Sequence, residues 1–122
     1  MAIENIIYDK AVHLNSKMME LAMERQKVIA NNLANANTPG FVRRDIDFKD
    51  ALAAVIDSND KTSLDSFQGE MVKDYGPPAR LDGNNVGQAS EMNEMMQNSV
   101  LHNLLSKAYS TKMGIIKQAI SR

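Results

Sequence analysis

Apolar residues recur at helical spacing along the first part of the chain. From about residue 5 to residue 35 there is no proline and no glycine. Steps of three or four residues connect Ile7, Ala11, Leu14, Met18, Leu21 and Val28, with Arg25 interrupting at its turn, and Met19, Met23, Ala30 and Leu33 widen the stripe. The pattern predicts an amphipathic helix. Its average step of about 3.5 residues favours packing on another long helix. We therefore expect Leu14, Met18, Leu21 and Val28 to be helix-packing residues.

A second periodic segment closes the chain, from about residue 88 to residue 120. It contains no proline, and its single glycine is Gly114. One apolar stripe and a flanking set contain the residues that we expect to pack on other helices, which are Met92, Met96, Leu104, Leu105 and Ile116. Asn85 or Ser90 is expected to cap the helix start. Glu91 and Glu94 lie near that start, and Lys112, Lys117 and Arg122 lie near the end, as the helix dipole favours.

The segment between the two predicted helices is irregular. Thr38-Pro39-Gly40 follows an Asn-rich stretch and predicts the helix end and a type II turn, in which Gly40 supplies the positive φ. A short helix is expected over residues 47–56, with Asp47 as its N-cap and Phe48 on its apolar face. Residues 57–80 carry weak periodicity, and we expect extended pieces and mobile loop there.

These patterns predict an all-α-dominated fold in which the two long terminal helices form an antiparallel, coiled-coil-like pair. The first helix is assigned to residues 1–37, the irregular middle to 38–87 and the second helix to 88–122, with both ends forming one domain. Two helices alone leave much apolar surface exposed, since small chains bury a limited fraction of their surface. The remaining surface predicts a subunit of a larger assembly.

Composition argues against several other classes of protein. The chain has 122 residues, a net charge of −1 and no basic run longer than Arg43-Arg44, so the basic stripe of a nucleic-acid-binding protein is missing. There is no cysteine, which excludes a disulfide framework and a cysteine nucleophile. The longest clean apolar run, residues 51–56, is far shorter than a membrane span, and no cleavable secretory signal is visible.

The candidate chemical groups do not form a reactive site. His13 and His102 lie on different predicted helices, and neither has a second His or a carboxylate four residues on, so packing or surface roles are expected for both. Asp45 and Asp47 would act as an acid–base pair only in a pocket that separates their pKa values, and nothing in the sequence predicts one. We therefore expect no enzyme activity, no cofactor, no metal and no small-molecule substrate.

One block of sequence carries a family resemblance. Residues 30–41, which read Ala-Asn-Asn-Leu-Ala-Asn-Ala-Asn-Thr-Pro-Gly-Phe, resemble the signature of bacterial flagellar axial proteins. The continuation at residues 43–48 and the segment Leu81-Asp82-Gly83-Asn84-Asn85-Val86 resemble the FlgB family of proximal rod proteins. The family usually has a capping Asp where this chain has Gly87. The residues expected to form the assembly motif are Asn31, Asn32, Leu33, Asn35, Asn37, Thr38, Pro39, Gly40, Phe41, Asp45, Asp47, Phe48, Gly83 and Asn84.

The resemblance implies a structural subunit whose terminal helices polymerise into the inner tube of the rod. Its implied partners are further copies of itself, the other proximal rod proteins, the adaptor that joins the rod to the membrane ring and export gate, and the flagellar type III export machinery. The implied location is the periplasmic rod after export from the cytoplasm. For the Asn-rich block, two interpretations stand: the side chains cap a helix end, or some of them pair across subunit contacts.

Two alternatives to a proximal rod subunit stay open from the sequence. The first is another axial protein of the rod or hook, against which the Asp45-Ile46-Asp47-Phe48 block and the short middle argue. The second is a cytoplasmic helical adaptor or chaperone that binds partner helices.

Overall fold

Two long helices dominate the structure, which is a computed structural model that describes residues 10–47, 49, 53 and 69–121. Helix α1 spans Lys10–Ala34 and helix α2 spans Gln88–Ile120. Between them lie two four-residue strands, β1 (Arg44–Asp47) and β2 (Glu70–Lys73). The prediction of a helix-dominated fold built from two packed terminal helices is confirmed. Most of the predicted helix of residues 47–56 lies outside the described residues, although Lys49 and Ala53 are helical.

Side-chain hydrogen bonds fix the antiparallel orientation of the helix pair. Near the end of α1, Asn32 Nδ2 lies 3.3 Å from Glu91 Oε2, in the first turn of α2. About two and three turns earlier in α1, Gln26 contacts Ser99, and the Ala22 carbonyl accepts a bond from Asn98. Residue numbers therefore rise along one helix as they fall along the other. The same registry brings the first turn of α2 beside the Asn-rich end of α1.

The strands form an antiparallel ladder that packs on α1. Arg44 pairs with Lys73 and Asp47 with Glu70. Ile46 of β1 is buried against Leu21 of α1, and Leu14, Met18 and Val28 pack against this pair. Part of the apolar stripe of α1 therefore meets Ile46 of β1. The cause is the chain reversal at residues 38–41, which leads β1 back along α1 before α2 begins.

The face of α2 that meets α1 is largely polar. Steps of four and three residues connect eight of its buried or half-buried positions, namely Glu91, Met95, Asn98, His102, Leu105, Tyr109, Lys112 and Ile116. This is the heptad spacing of a coiled-coil seam. Two of its most buried members are Glu91 and Asn98, at 1% and 2% exposure. A seam of this kind holds the helices together by specific polar pairing as much as by apolar burial.

Three of the residues that we expect to pack on other helices lie outside this polar seam. Met92, Met96 and Leu104, which we expect to pack on other helices, are 58%, 68% and 62% exposed in this chain, so their packing on helices of other chains stays a prediction. With Val100 and Ile115 they form what we call the outer face of α2. The predicted stripe is real but points away from α1, because the seam positions are occupied by polar residues whose partners lie elsewhere in the chain.

Helix α2 begins without a side-chain cap. Its N-cap residue is Gly87, with extended backbone angles and no side-chain hydrogen bond. Asn85, one of the two predicted caps, instead binds the Arg43 N–H and the Asp74 carbonyl. The expectation that Asn85 or Ser90 caps this helix was therefore wrong. Among the described residues, neither helix is apolar and long enough to cross a bilayer.

Candidate assembly interface

The Asn-rich block ends α1 and begins a tight turn. Asn35 donates from Nδ2 to the Asn31 carbonyl at 2.9 Å, and its own Oδ1 accepts a bond from Thr38 Oγ1 at 3.1 Å. The Phe41 N–H then reaches the Thr38 carbonyl at 3.2 Å, and Gly40 has φ +73°. This is the predicted type II turn, with Pro39 and Gly40 at its centre. Asn31 and Asn35 therefore serve the helix end, as the capping interpretation predicted.

The turn docks on a second turn that precedes α2. The Gly40 N–H donates to the Asp82 carbonyl at 2.7 Å, and the Asn85 N–H donates to the Phe41 carbonyl at 3.3 Å. Gly83 has φ +83°, and a Cβ built on it would lie 3.3 Å from the Gly40 Cα. Both glycines are thus needed, since a side chain here meets an unfavourable backbone angle and, at Gly83, backbone at close range. The two sequence blocks of the resemblance form one docked unit.

Asn84 holds this unit together from the inside. It is fully buried, and its Nδ2 donates to the carbonyls of Asn35 and Thr38, both at 2.8 Å. Its Oδ1 accepts a bond from the Val86 N–H at 2.7 Å. One amide side chain therefore adds a second hydrogen bond to two carbonyls at the end of α1, which also accept bonds from the Thr38 and Phe41 N–H groups. Arg80 adds bonds to the Ala36 and Val86 carbonyls.

Asn32 plays the corresponding role between α1 and β1. Its Oδ1 accepts a bond from the Arg44 N–H at 2.9 Å, and its Nδ2 donates to the Arg44 carbonyl at 2.7 Å. The side chain has 0% exposure and also contacts Glu91. It therefore completes the backbone hydrogen bonding of the edge strand β1, as a neighbouring strand would.

Replacing Asn32 with alanine should lower the free energy of unfolding by about 2–4 kcal/mol, since the Arg44 amide and carbonyl would be left buried and unpaired. Asn31→Ala is the matched control, because Asn31 is exposed on the same helical turn and both changes alter helix propensity equally. Its expected cost is below about 0.5 kcal/mol. Urea unfolding followed by circular dichroism measures both, and equal costs would contradict the role assigned to Asn32.

A network of charged side chains joins the helices to the strands. Arg25 of α1 forms a two-point contact with Asp45 of β1, at 2.9 and 3.2 Å, and a 2.7 Å bond with Glu94 of α2. Arg43, which is 7% exposed, pairs with Glu91 of α2 and with Asp74, the residue after β2. Its Nη2 also lies 3.5 Å from Asp45 Oδ2, so Asp45 connects the two arginines.

The network changes the protonation equilibria of its members. Burial alone would raise the pKa of Asp45, but hydrogen bonds from Arg25 and from the Ile46 N–H, with the charges of Arg25 and Arg43, together hold that pKa below its ordinary value. Desolvation works against the Arg43 charge, and Glu91 and Asp74 overcome it, so its pKa is raised. For Arg25 the bond with Asp45 is the largest cause of a raised pKa. All three side chains are therefore charged at neutral pH.

Stability should decline in acid partly because of Asp45. A lowered folded-state pKa contributes stability above the unfolded pKa of about 3.9, and this contribution disappears as pH falls through the folded-state pKa. Asp45→Asn should therefore flatten the pH dependence of the free energy of unfolding below about pH 4. Asp47→Asn, the same change at an exposed neighbour, is the control for the loss of one carboxylate. Equal slopes in all three proteins would rule out this contribution.

Some of the other predicted motif residues are half-buried, and the rest of those described are exposed. Leu33 and Phe41 are half-buried, and the exposed members of the motif are Asn31, Asn37, Thr38, Pro39, Gly40, Asp47 and Gly83. Phe48 lies outside the described residues. Of the predicted helix-packing residues, Leu21 and Ile116 are buried, and Leu14, Met18, Val28 and Leu105 are half-buried. The pairing of exposed Asn side chains with other chains stays a prediction.

Sequence periodicity missed the polar residues that organise the fold. Arg25 appeared only as an interruption of an apolar stripe, and Glu91 only as a charge near a helix start. Asn98 is buried and donates from Nδ2 to the Ala22 carbonyl and to Gln26 Oε1, both at 2.8 Å. The available signal was spacing, since Glu91, Asn98 and Leu105 repeat every seven residues. Asn98 Oδ1 and Asn15 Oδ1 are buried without a hydrogen-bond partner.

No arrangement suited to metal binding occurs among residues 10–47, 49, 53 and 69–121, where no three His, Cys, Asp or Glu side chains cluster suitably. The carboxylates brought closest together, Asp45, Asp74, Glu91 and Glu94, are all paired with arginine. What the chain offers to other molecules is instead a rigid docked unit and an apolar outer face on α2.

Known proteins match this chain, including the segment that forms the end of α1 and the docked turn. The family model described as flagella basal body rod protein matches residues 19–41, which cover most of α1 and the docked turn. The flagellar basal body rod protein FlgB of Escherichia coli (strain K12) is 32% identical over 119 residues, which cover 84% of this chain and 86% of that protein. FlgB of Borrelia hermsii is 31% identical over 119 residues, covering 82% and 87%.

A third relative aligns over a larger share of the chain. FlgB of Aeromonas hydrophila is 27% identical over 129 aligned positions, which cover 92% of this chain and 94% of that protein. The similarity thus includes both long helices as well as the segments that form the docked unit between them. On this evidence the chain belongs to the family of flagellar basal body rod protein FlgB.

Proposed function

We propose that this chain is a structural subunit of the rod of the bacterial flagellar basal body, in its proximal part, and that it has no enzyme activity. Family membership supports the rod, and the outer face of α2 supports assembly. Five large apolar side chains of that face are more than half exposed, namely Met92, Met96, Val100, Leu104 and Ile115. A contiguous exposed apolar face marks a surface that another protein covers. The outer face is the single observation that carries the proposal of assembly.

The contacts inside the subunit and the outer face of α2 have different roles. The polar seam, the charged network and the docked turns hold the free subunit in one shape. The outer face then contributes apolar area when copies pack side by side, with their long helices forming the wall of a tube. Met92 and Met96 suit this contact because methionine adapts to imperfect packing. Rotation would be transmitted through these packed helices.

The partners that fit this proposal are further copies of the chain, the other proximal rod proteins, the adaptor between rod, membrane ring and export gate, and the type III export machinery. The location is the periplasmic rod after export from the cytoplasm. A different axial position in the rod or hook is a second candidate within the same class. A cytoplasmic adaptor is the candidate from another class, and it would use the outer face to bind a partner helix.

An immunoblot of purified hook–basal bodies, with cytosol as the control fraction, tests the proposal. Retention of the chain after removal of filament and membrane is the expected result. Its presence in the cytosol alone would overturn the rod assignment and favour the adaptor. A position in the proximal or the distal segment is then decided by imaging particles that carry an antibody to the chain.

A further inference from the structure

Four exposed residues form a stripe along the second half of α1. They are Met23, Lys27, Ala30 and Ala34, which follow one another at steps of four, three and four residues, and Met23 is 55% exposed. We call these four residues the exposed stripe of α1. Their heptad spacing is the one by which helices pack on one another. Because the stripe is exposed in the free chain, it suits a helix other than α2 of the same chain.

The exposed stripe lies away from the described residues that adjoin residues 1–9 and 48–68. Ala30 follows Lys10 by 20 residues, which is about 30 Å along the helix. The side of α1 that packs on β1 includes Val28, and Ala30 is two residues, or about 200°, further round the helix. The stripe and the strands therefore lie on opposite sides of α1.

The end of α1 and the outer face of α2 both lie in long stretches of sequence without charge. Residues 28–42 and residues 95–106 contain no Asp, Glu, Lys or Arg, and they are the two longest such stretches in a chain that is 24% charged. Free protein surfaces are usually rich in charged residues, whereas the cores of protein interfaces are depleted of them. Each of these two exposed surfaces therefore suits contact with protein.

We propose that the exposed stripe of α1 in one copy packs, antiparallel, on the outer face of α2 in the next copy. The inference rests on the proposed function, because it names the surface that covers the outer face. It also fixes a register, in which Ala30 lies opposite Met96.

The two surfaces match in side-chain size in this register. In an antiparallel pair, residue numbers fall along one helix as they rise along the other, so Ala34 lies opposite Met92 when Ala30 lies opposite Met96. Each of these large side chains then meets an alanine, which lets the two helices approach closely. The same register places Met23 opposite Leu104.

The single charge of the stripe is tolerated in this contact. Lys27 comes opposite Val100, where the methylene groups of the lysine cover the valine and its ammonium group reaches water. The stripe is therefore apolar in the part of its surface that the next copy covers.

Charges beside the stripe favour the same register. Lys107 is exposed and follows Leu104 by three residues, so placing Met23 opposite Leu104 brings Lys107 to Glu20. Glu20 is exposed and has a 3.4 Å contact with Lys17 of its own chain, and a carboxylate accepts bonds from two such donors. The register therefore pairs opposite charges where the apolar contact ends.

The same charges argue against a parallel arrangement of the two helices. With Ala30 opposite Met96 in parallel, Glu20 would lie beyond the start of α2 at Gln88 and would meet no lysine of that helix. Since α1 and α2 are also antiparallel within one chain, all copies then point in one direction. A contact between two different surfaces repeats from copy to copy and builds an open array instead of a closed pair.

Cysteine cross-linking in assembled rods tests the contact and its register, and the chain has no native cysteine. Two variants place cysteines at opposite positions, namely Ala30→Cys/Met96→Cys and Met23→Cys/Leu104→Cys. Cells that carry each variant as their only copy are oxidised, and their basal bodies are blotted. Both variants should give a ladder of dimers, trimers and longer species, since disulfides need Cα atoms within about 7 Å.

The matched controls exchange the same four sites. Ala30→Cys/Leu104→Cys and Met23→Cys/Met96→Cys keep both surfaces but move the cysteines eight residues out of register, which is about 12 Å. Neither control should give a ladder. Equal ladders in all four variants, or ladders in the exchanged pairs alone, would overturn the proposed contact.

A second pair of variants separates docking from folding. Ala30→Leu/Ala34→Leu enlarges two exposed side chains, so the melting temperature of the free protein should stay about the same. The amount of the chain in basal bodies should nevertheless fall, roughly tenfold or more, because the added side chains hold the next copy away. Ala30→Ser/Ala34→Ser keeps both sites small and should incorporate as the wild type does. Equal incorporation of the two variants would contradict the proposal.

These outcomes separate the contact from the function on which it rests. If the unmodified chain is absent from basal bodies, the rod function itself fails. If it is present there but the Ala30→Cys/Met96→Cys and Met23→Cys/Leu104→Cys variants incorporate without a ladder, the rod function stands and the contact between α1 and the outer face is wrong.

Discussion

Replacing Leu104 with aspartate should leave the free chain folded and abolish its incorporation into the rod. Leu104 is 62% exposed on the outer face of α2, so the new carboxylate is hydrated in the free subunit. In the assembly the same carboxylate would be covered by a neighbouring chain without a partner, which is strongly unfavourable. A loss of about 2 kcal/mol or more per contact weakens each contact about thirtyfold, and the loss repeats in every copy.

The control for this change is Met71→Asp, which introduces the same charge at another exposed apolar residue, on β2 and away from the outer face. We expect normal incorporation and swimming for Met71→Asp and neither for Leu104→Asp, with equal helix content by circular dichroism in both free proteins. Normal motility of the Leu104→Asp strain would contradict the assembly role of the outer face. A loss of helix content in the free variant would contradict the placement of Leu104 outside the packed seam.

Replacing Arg43 with methionine should lower the free energy of unfolding by about 3–5 kcal/mol, the cost of removing one partner from a buried ion pair. Glu91, at 1% exposure, would lose its ion pair and keep the 3.3 Å contact from Asn32. Asp74 would lose its ion pair as well. The variant should therefore unfold at a much lower urea concentration than the wild type.

Two further variants show whether the pairing itself is responsible. Arg44→Met alters the next residue, which is half-buried and uses its backbone in the strand, so its expected cost is below about 0.5 kcal/mol. Arg43→Met/Glu91→Met removes both members of the pair and should recover much of the loss, since the remaining buried charge is gone. A double variant as unstable as the sum of the single variants would mean that the two residues act independently.

Sequence patterns predicted the helices well because their determinants are local. The segment without proline and glycine before residue 35, and the turn at Thr38-Pro39-Gly40, depend on neighbours along the chain. The start and end of α2 were predicted at Gln88 and Ile120, where the structure has them. Gly40 was expected at positive φ and has it, since a type II turn requires that angle at its third residue.

The packing partners of the helices could not be predicted in the same way. Arg43 and Glu91 are separated by 48 residues, and no local sequence pattern predicts that they form an ion pair. Without that pairing, Glu91 and Asn98 look like surface residues, and the stripe containing Met92, Met96 and Leu104 looks like the core. Periodicity identified an apolar face correctly but could not say whether the same chain or another one covers it.

The sequence patterns did not predict β1 and β2, for a related reason. Arg44–Asp47 and Glu70–Lys73 are four residues long and rich in charge, so neither shows the alternation expected of a half-buried strand. Only Ile46 is buried in the ladder, against Leu21. The amide of Asn32 supplies the hydrogen bonds that would otherwise come from another strand. A side chain that replaces a strand in this way produces no recognisable pattern in the sequence.

The claim that the outer face of α2 is covered in the rod is tested most directly by methionine oxidation. Purified basal bodies and the free chain are treated with the same dose of hydrogen peroxide, and sulfoxide at Met92 and Met96 is measured by mass spectrometry. Both side chains are more than half exposed in the free chain, so they should oxidise readily there and be protected several-fold in the rod. Equal oxidation of Met92 and Met96 in rods and in the free chain would contradict the account.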